Sequence, residues 1–268
     1  MNKYDVLIVG AGIAGLTAAI YAGRAGKSVL VLEESVLGGQ IVQSLEIRNW
    51  PGENSISGLD LMKKMAKQAE GFGAEIKYEK VLEITKSAEF DSVTDAGDGV
   101  RGCYNVRTDE SEYLASAVII ATGTEPRKMS PMQTRDAGER PISYCATCDG
   151  ALYAGKPVVV VGHGNSAKYE IKYLEGVCSK VYNVHHDEPI PKDAEAVFVA
   201  IGRVPNTSLF EDLVSLDEDG YVMASENCRT SAPGIFVAGD CRTKGLRQLV
   251  TAASDGAVSA MEAVKYLS

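Results

Sequence analysis

Asp5-Val6-Leu7-Ile8-Val9-Gly10-Ala11-Gly12-Ile13-Ala14-Gly15 is the stretch on which the fold turns. Asp5 to Val9 is a short apolar run rich in β-branched residues, which reads as a buried strand. The glycine-rich turn follows, Leu16 to Gly26 carries helical periodicity, and Ser28 to Leu32 is a second buried strand ending at Glu33. This is a G-x-G-x-x-G in strand–turn–helix–strand context, with an acid 23 residues after the first glycine. Glycines here let backbone N–H groups at a helix N-terminus approach a pyrophosphate, and Glu33 can accept from a ribose hydroxyl. The unit predicts a dinucleotide-binding domain.

The unit recurs. Pro157 to Val161 reads as a strand, Gly162-His163-Gly164-Asn165-Ser166-Ala167 as the turn, then a helix to about Glu175 and a strand from Lys180 to Val184. Laying Gly162 on Gly10 places His185 on Glu33 without a gap, so the mononucleotide-binding unit is repeated. The second copy departs from a cofactor site in two ways. His185-His186 supplies neither the acid that suits NAD nor the arginine that suits a 2′-phosphate. Only Asp187 to Ala194 separate it from the next strand, Glu195 to Ile201, too few for a crossover helix and strand.

Between the copies, Leu59 to Gly73 reads as an amphipathic helix. Glu75 to Ile84, Tyr104 to Thr108 and Tyr113 to Leu114 suggest an antiparallel insert, with 87–102 a surface hairpin or loop. Ala117 to Ala121 is a buried strand closed by Thr122-Gly123. Gly234 to Ala238 is another, ending at Gly239-Asp240, and about Gln248 to Tyr266 forms the last helix. The fold class is therefore α/β, two Rossmann-like, three-layer ββα dinucleotide-binding domains with the second truncated. The first domain is discontinuous, 1–123 and 204–268, around a middle domain at 124–203.

With 268 residues, 45% of them hydrophobic, there is ample chain for a core. No apolar run reaches a membrane span, and the N-terminus leads into a strand rather than a signal peptide, so no membrane is expected and the expected address is cytoplasmic. A net charge of −9 argues against nucleic acid as a partner.

Within the middle domain stands Cys145-Ala146-Thr147-Cys148-Asp149-Gly150. A C-x-x-C pair can cycle between dithiol and disulfide, and its position between two dinucleotide fingerprints favours redox chemistry. The alternative is a zinc half-site completed by Cys178 and His185, at irregular spacing. Cys103, Cys178, Cys228 and Cys241 are each alone and read as packing or surface thiols.

The whole pattern resembles the low-molecular-weight flavin thioredoxin reductases. The likeness runs through Gly10 to Gly15 with Glu33, Gly38-Gly39-Gln40, Asn49-Trp50-Pro51-Gly52, Ala121-Thr122-Gly123, Cys145 to Asp149, Ala200-Ile201-Gly202, Gly239-Asp240-Cys241 and Arg247-Gln248-Leu249, nearly the full chain. It implies FAD as cofactor, held by Gly10, Gly12, Ala14, Gly15, Glu33, Gly39, Gln40, Asn49, Ala121, Thr122, Gly123, Gly239, Asp240, Arg247, Gln248 and Leu249. It implies no metal, a catalytic Cys148 facing the flavin, a catalytic Cys145 attacking the protein substrate and Asp149 as proton donor or acceptor. Thioredoxin or a thioredoxin-like protein is the implied substrate, a homodimer the implied assembly, and a rotating middle domain the implied motion. Members using NADPH carry a basic His-Arg-Arg type stretch where this chain has Val184-His185-His186-Asp187-Glu188. In that respect it resembles the truncated, NADPH-independent members, best represented by the ferredoxin-dependent flavin thioredoxin reductases, with reduced ferredoxin as electron donor. Candidate docking charges for an acidic ferredoxin are Arg127, Lys128, Arg135 and Arg140 near the dithiol and Lys168, Lys172 and Lys180 on the middle domain. An NAD(P)H or deazaflavin donor, a second flavin in the middle domain and a flavin-binding redox sensor without turnover stay open at this stage.

Overall fold

The computed structural model describes residues 2–87 and 103–268, so the loop expected at 87–102 lies outside it beyond Ser87. The chain divides into two compact units, Met1–Thr124 with Pro205–Ser268, and Glu125–Val204.

The first unit opens with β1 (Asn2–Val9) and α1 (Ile13–Arg24). The helix begins three residues before its apolar periodicity does, because Gly12 is its N-cap and the small Ala14 and Gly15 already belong to its first turn. β2 (Val29–Leu32), buried at all four positions, lies parallel to β1. α2 (Gly58–Gly71) is capped by Ser57, whose Oγ accepts the Asp60 N–H at 3.1 Å. It leads to β3 (Ala74–Lys77), parallel to β2 on its outer side.

The run 75–84, expected within the antiparallel insert, holds two strands of different kind: β3, parallel to β2, and then β4 (Val81–Lys86), antiparallel to β5 (Tyr104–Thr108). The buried carboxylate of Glu79 makes the corner between them, accepting from Thr108 Oγ1 (2.6 Å) and Tyr113 Oη (2.7 Å). Conversely, 113–114 and 117–121, read as separate strands, merge into the single β6 (Glu112–Ile120), which stops one residue short of Ala121. β6 pairs parallel with β1 on one edge and, over its first half, antiparallel with β5 on the other.

The chain leaves the first unit through β7 (Thr124–Pro126). The second unit comprises α3 (Pro131–Ala137), β8 (Ile142–Ser143), α4 (Ala146–Asp149), β9 (Pro157–Val161), α5 (Asn165–Glu175), β10 (Lys180–Val184) and β11 (Ala196–Val199). Its four strands are parallel in the order β10-β9-β11-β8. The outgoing β7 pairs with β12 (Arg203–Pro205), the returning segment. β13 (Ile235–Val237) then joins β6 in parallel, and α6 (Leu249–Tyr266) packs on α1. A Cβ on Gly256 of α6 would stand 2.3 Å from the Ala14 carbonyl, so that crossing requires glycine.

The sheet of the first unit is buried on both faces, one against α1, α2 and α6, the other partly against Phe210, Val214 and Val222. The smaller sheet has Met129, Ala137, Ile190 and Ala194 on one face and Ala146, Ala167 and Leu174 on the other. None of the described helices is long and apolar enough to cross a membrane.

Candidate functional site

The first fingerprint is shaped for a ligand rather than for packing alone. Gly10 (φ +105) would carry a Cβ 2.5 Å from the Ala121 carbonyl, and Gly15 one 1.9 Å from the Gly10 carbonyl, so both are glycine for close approach. Gly12 differs. Its Cβ would meet nothing closer than Gly38 O at 4.0 Å, leaving open space before the first turn of α1. That turn has no side-chain cap, so its N–H groups face this space with the helix dipole behind them. Glu33, 8% exposed, accepts from Ala11 N–H through Oε2 (2.8 Å) and from Ser35 N–H through Oε1 (3.1 Å). The carboxylate is thereby fixed at the turn with lone pairs to spare for hydroxyl donors.

Around this turn the other predicted cofactor residues fall into groups. Gly38 and Gly39 both have positive φ, and Gly38 N–H donates to Ala11 O (3.0 Å). Gln40 Nε2 donates to the Thr124 carbonyl. Asn49 and Gln248, 199 residues apart in sequence, meet through Nδ2 and Oε1 at 3.2 Å. Gln248 also caps α6 through a reciprocal box with Thr251. Thr122 and Gly123 are bonded to Asn206, and Leu249 starts α6 half-buried. Arg247 lies over the Tyr221 ring at 4.2 Å and donates to the Asp240 carbonyl (3.3 Å). Trp50 packs half-buried on the core.

A cluster the motifs did not reveal braces the Gly239-Asp240 turn. Asp255 on α6, 5% exposed, accepts from Gly239 N–H (3.0 Å), Arg242 Nε and Nη2 (2.9 and 2.7 Å) and Lys244 Nζ (2.7 Å). Burial alone would raise the Asp255 carboxyl, but Arg242 and Lys244 outweigh it and hold it below its ordinary value. An aspartate on an apolar helix next to glycine was its only trace in the sequence. Cys241, in the same turn, is fully buried, and burial pushes its thiol up to about 11; Cys228 is pushed to about 12 for the same reason. Neither is a nucleophile at neutral pH.

The second fingerprint repeats the backbone of the first. Gly162 (φ +130) would carry a Cβ 2.4 Å from the Ala200 carbonyl, and Gly164 faces open space. The ribose position differs. Where Glu33 bonds the turn, the rings of His163 and His185 stack with centroids 3.4 Å apart and planes 8° from parallel. The link from β10 to β11 is a tied structure. Glu188 Oε2 accepts His185 N–H (2.7 Å), and Gln133, fully buried, donates to the carbonyls of His185 (2.6 Å) and Glu188 (3.0 Å). Arg140, expected as a docking charge, is spent here on the carbonyls of Ala137 and Pro191. Lys180 lies over Tyr182, while Arg127, Lys128, Arg135, Lys168 and Lys172 are exposed.

In the same unit Cys145 and Cys148 form a disulfide, Cα atoms 5.3 Å apart, across the single turn α4. Both sulfurs are thereby used, and among the described residues no three His, Cys, Asp or Glu side chains gather as a metal site. Cys148 and Asp149 N–H both donate to the Cys145 carbonyl (3.2 and 3.1 Å). Ser143 Oγ donates to Asp149 Oδ2 at 2.6 Å.

A dinucleotide cradle in one unit, with a disulfide beside a second cradle in the other, defines a dinucleotide-linked disulfide oxidoreductase. The pyridine nucleotide-disulphide oxidoreductase family matches residues 4–191 and 168–256, and the chain belongs to that family. It is 38% identical to a thioredoxin reductase of Listeria innocua, covering 98% of this chain and 94% of that protein, and 35% identical to that of Bacillus subtilis, covering 98% and 95%. The solved thioredoxin reductase of Streptococcus pyogenes superposes with a TM-score of 0.84 at 32% identity, over 99% of this chain and 98% of that one. The Listeria alignment spans 312 positions against 268 residues here, so at least 44 positions have no counterpart in this chain.

The chain is thus a thioredoxin-reductase-like disulfide oxidoreductase whose cofactor is FAD. The open space at Gly12 and the fixed carboxylate of Glu33 fit a pyrophosphate and a ribose respectively.

Proposed function

We propose that this protein reduces thioredoxin, or a thioredoxin-like protein, with electrons from a donor other than NADPH, reduced ferredoxin being the donor that fits best. One observation carries the choice of donor. The second cradle has an imidazole stack in place of the acid and a tied link, 185–195, in place of a crossover helix and strand. A pyridine nucleotide there would lack both its ribose acceptor and half of its binding sheet.

FAD, when bound, takes electrons singly or in pairs and so matches a one-electron carrier to a two-electron disulfide. In the first unit Gly10, Gly12, Ala14, Gly15, Glu33, Gly39, Gln40, Asn49, Ala121, Thr122, Gly123, Gly239, Asp240, Arg247, Gln248 and Leu249 hold and orient it. In the second, Cys148 is the thiol that exchanges electrons with the flavin. Cys145 attacks the substrate disulfide, and Asp149 moves the proton. Arg127, Lys128 and Arg135 offer an exposed basic approach for an acidic carrier. A homodimer in the cytoplasm, where dithiols stay reduced, completes the reading.

Anaerobic titration of the flavin absorbance tests it. Bleaching by reduced ferredoxin, with NADPH and NADH inert over minutes, is the expected result. Full bleaching within seconds by one equivalent of NADPH would sink the proposed donor and return the second cradle to nucleotide binding.

A further inference from the structure

The second unit contains a side chain that joins the attacking cysteine to the acid. Ser143 is the last residue of β8, held in the sheet by pairing with Phe198 on β11 and only 6% exposed. Its hydroxyl accepts Cys145 N–H at 3.1 Å and donates to Asp149 Oδ2 at 2.6 Å. The Cys145 carbonyl lies 3.3 Å away as a second acceptor. A hydroxyl has one proton and two lone pairs. It can therefore donate to Asp149 when the carboxylate is ionised. When Asp149 carries a proton, the same oxygen can accept that proton's bond and turn its own hydrogen to the Cys145 carbonyl.

We propose that Ser143 is a positioning residue for the dithiol exchange, keeping Asp149 in one place through both of its protonation states and fixing the backbone of Cys145 with the same oxygen. The inference rests on the role given to Asp149 above.

The step balances without any further reactant. Cys145 thiolate attacks the substrate disulfide, forming a mixed disulfide and expelling one substrate thiolate. Cys148 sulfur then attacks Cys145 sulfur while its proton passes to the Asp149 carboxylate. The mixed bond breaks and the second substrate sulfur leaves, to be protonated from Asp149 or solvent. Enzyme dithiol and substrate disulfide become enzyme disulfide and substrate dithiol. Other titratable groups bear on this site. Tyr153 follows in the next turn, pushed up by burial and by Asp149. Lys156 stands beyond it, paired with Glu195 at 3.0 Å. On α5, which packs on α4, Glu170 lines a cavity shared with Tyr144.

The test uses the holoprotein reduced by dithiothreitol, freed of excess, and mixed with oxidised thioredoxin in a stopped-flow instrument, so that no electron donor enters. Ser143→Ala is expected to slow release of reduced thioredoxin roughly 10- to 100-fold, the scale of a misplaced acid–base group. Ser143→Thr, which keeps the hydroxyl, should recover the rate to within about threefold of the parent. In an Asp149→Asn background, Ser143→Ala should add less than about twofold, because the two residues act as one unit. Equal loss in the alanine and threonine variants, or effects that multiply in the double variant, would overturn the positioning role. A parental rate in Asp149→Asn alone would overturn the role of Asp149 itself, a distinct outcome.

Discussion

Gly10-Ala11-Gly12 and Gly162-His163-Gly164 are one turn built twice. In both, the first glycine's N–H donates to the end of the neighbouring strand, to Leu32 O at 2.8 Å and to Val184 O at 2.9 Å. In both, that glycine faces an alanine carbonyl at nearly the same distance. Within the turn the copies already differ at His163 for Ala11 and Ala167 for Gly15, and beyond β2 and β10 they part altogether. The first continues into α2, β3 and the β4–β5 insert, so β2 is covered and buried at every position. The second turns back after eleven residues (185–195) and leaves β10 as an outer strand with one buried residue in five. The glycine turn survives without the binding sheet because its geometry is local. What makes it a cofactor site is the chain that follows.

The registers extend the comparison to the disulfide. Ile8, Ile119 and Phe236 lie in one row of the large sheet, and Val160, Phe198 and Ser143 in the corresponding row of the small one. Counting on, Cys145 comes level with Ala238, and the C-x-x-C turn takes the place that Gly239-Asp240 takes in the first unit. One copy has put the Gly239-Asp240 turn at this strand end and the other the Cys145–Cys148 disulfide.

Four sets of substitutions separate the roles of the two units. Cys145→Ser should have the largest effect, lowering thioredoxin reduction at least about 10³-fold with flavin content unchanged. A chain with no turnover before substitution would instead point to a redox sensor. Asp255→Ala strands Arg242 and Lys244, side chains 3% and 5% exposed, and should cost about 3–5 kcal/mol by denaturant unfolding together with loss of bound FAD. Retained flavin and stability would show that the turn stands without its brace.

Gly12→Val and Gly164→Val form a matched pair, since neither position has a positive φ and neither Cβ meets protein within 4 Å except Gly38 O at 4.0 Å. Gly12→Val should reduce the FAD-to-protein ratio, with affinity falling about 100-fold, roughly 2.7 kcal/mol. Gly164→Val should leave flavin and turnover at parental values. Loss of activity in Gly164→Val would mean that the second cradle holds something the reaction needs.

The smallest effect concerns Glu170, which stands on α5 where the aligned position of α1 is the buried Ala18. It lines a cavity of about 40 Å³ with Tyr144, Ser166 and Arg203, and burial, opposed by Arg203, pushes its carboxyl up to about 7. Because the folded value lies above the ordinary one, the associated stability is present below pH 4.5 and is lost as pH rises to about 7. Glu170→Gln should therefore raise the melting temperature by about 2–4 °C at pH 8, for on the order of 1 kcal/mol, and leave it unchanged at pH 4.5. An equal shift at both pH values would mean that ionisation is not the cause.

Much was legible because it is local. Glycine spacing, apolar runs and helical periodicity act over fewer than about 20 residues, and they placed both fingerprints, α5, β9, β10 and the last helix. β6 misled because one strand with two different neighbours has no single alternation to read. The 75–84 run misled because Glu79, the corner between two strands, finds its partners on β5 and β6, some 30 residues on.

A duplicated dinucleotide-type unit, a C-x-x-C pair and a second copy too short to carry a full nucleotide sheet can all be read along the chain. Tertiary structure decided the rest. It laid His163 on His185, aimed Asp255 at the Gly239 turn and set Ser143 between Cys145 and Asp149. Each contact depends on side chains brought together by strand register and helix packing, and no spacing along a chain encodes where those surfaces meet.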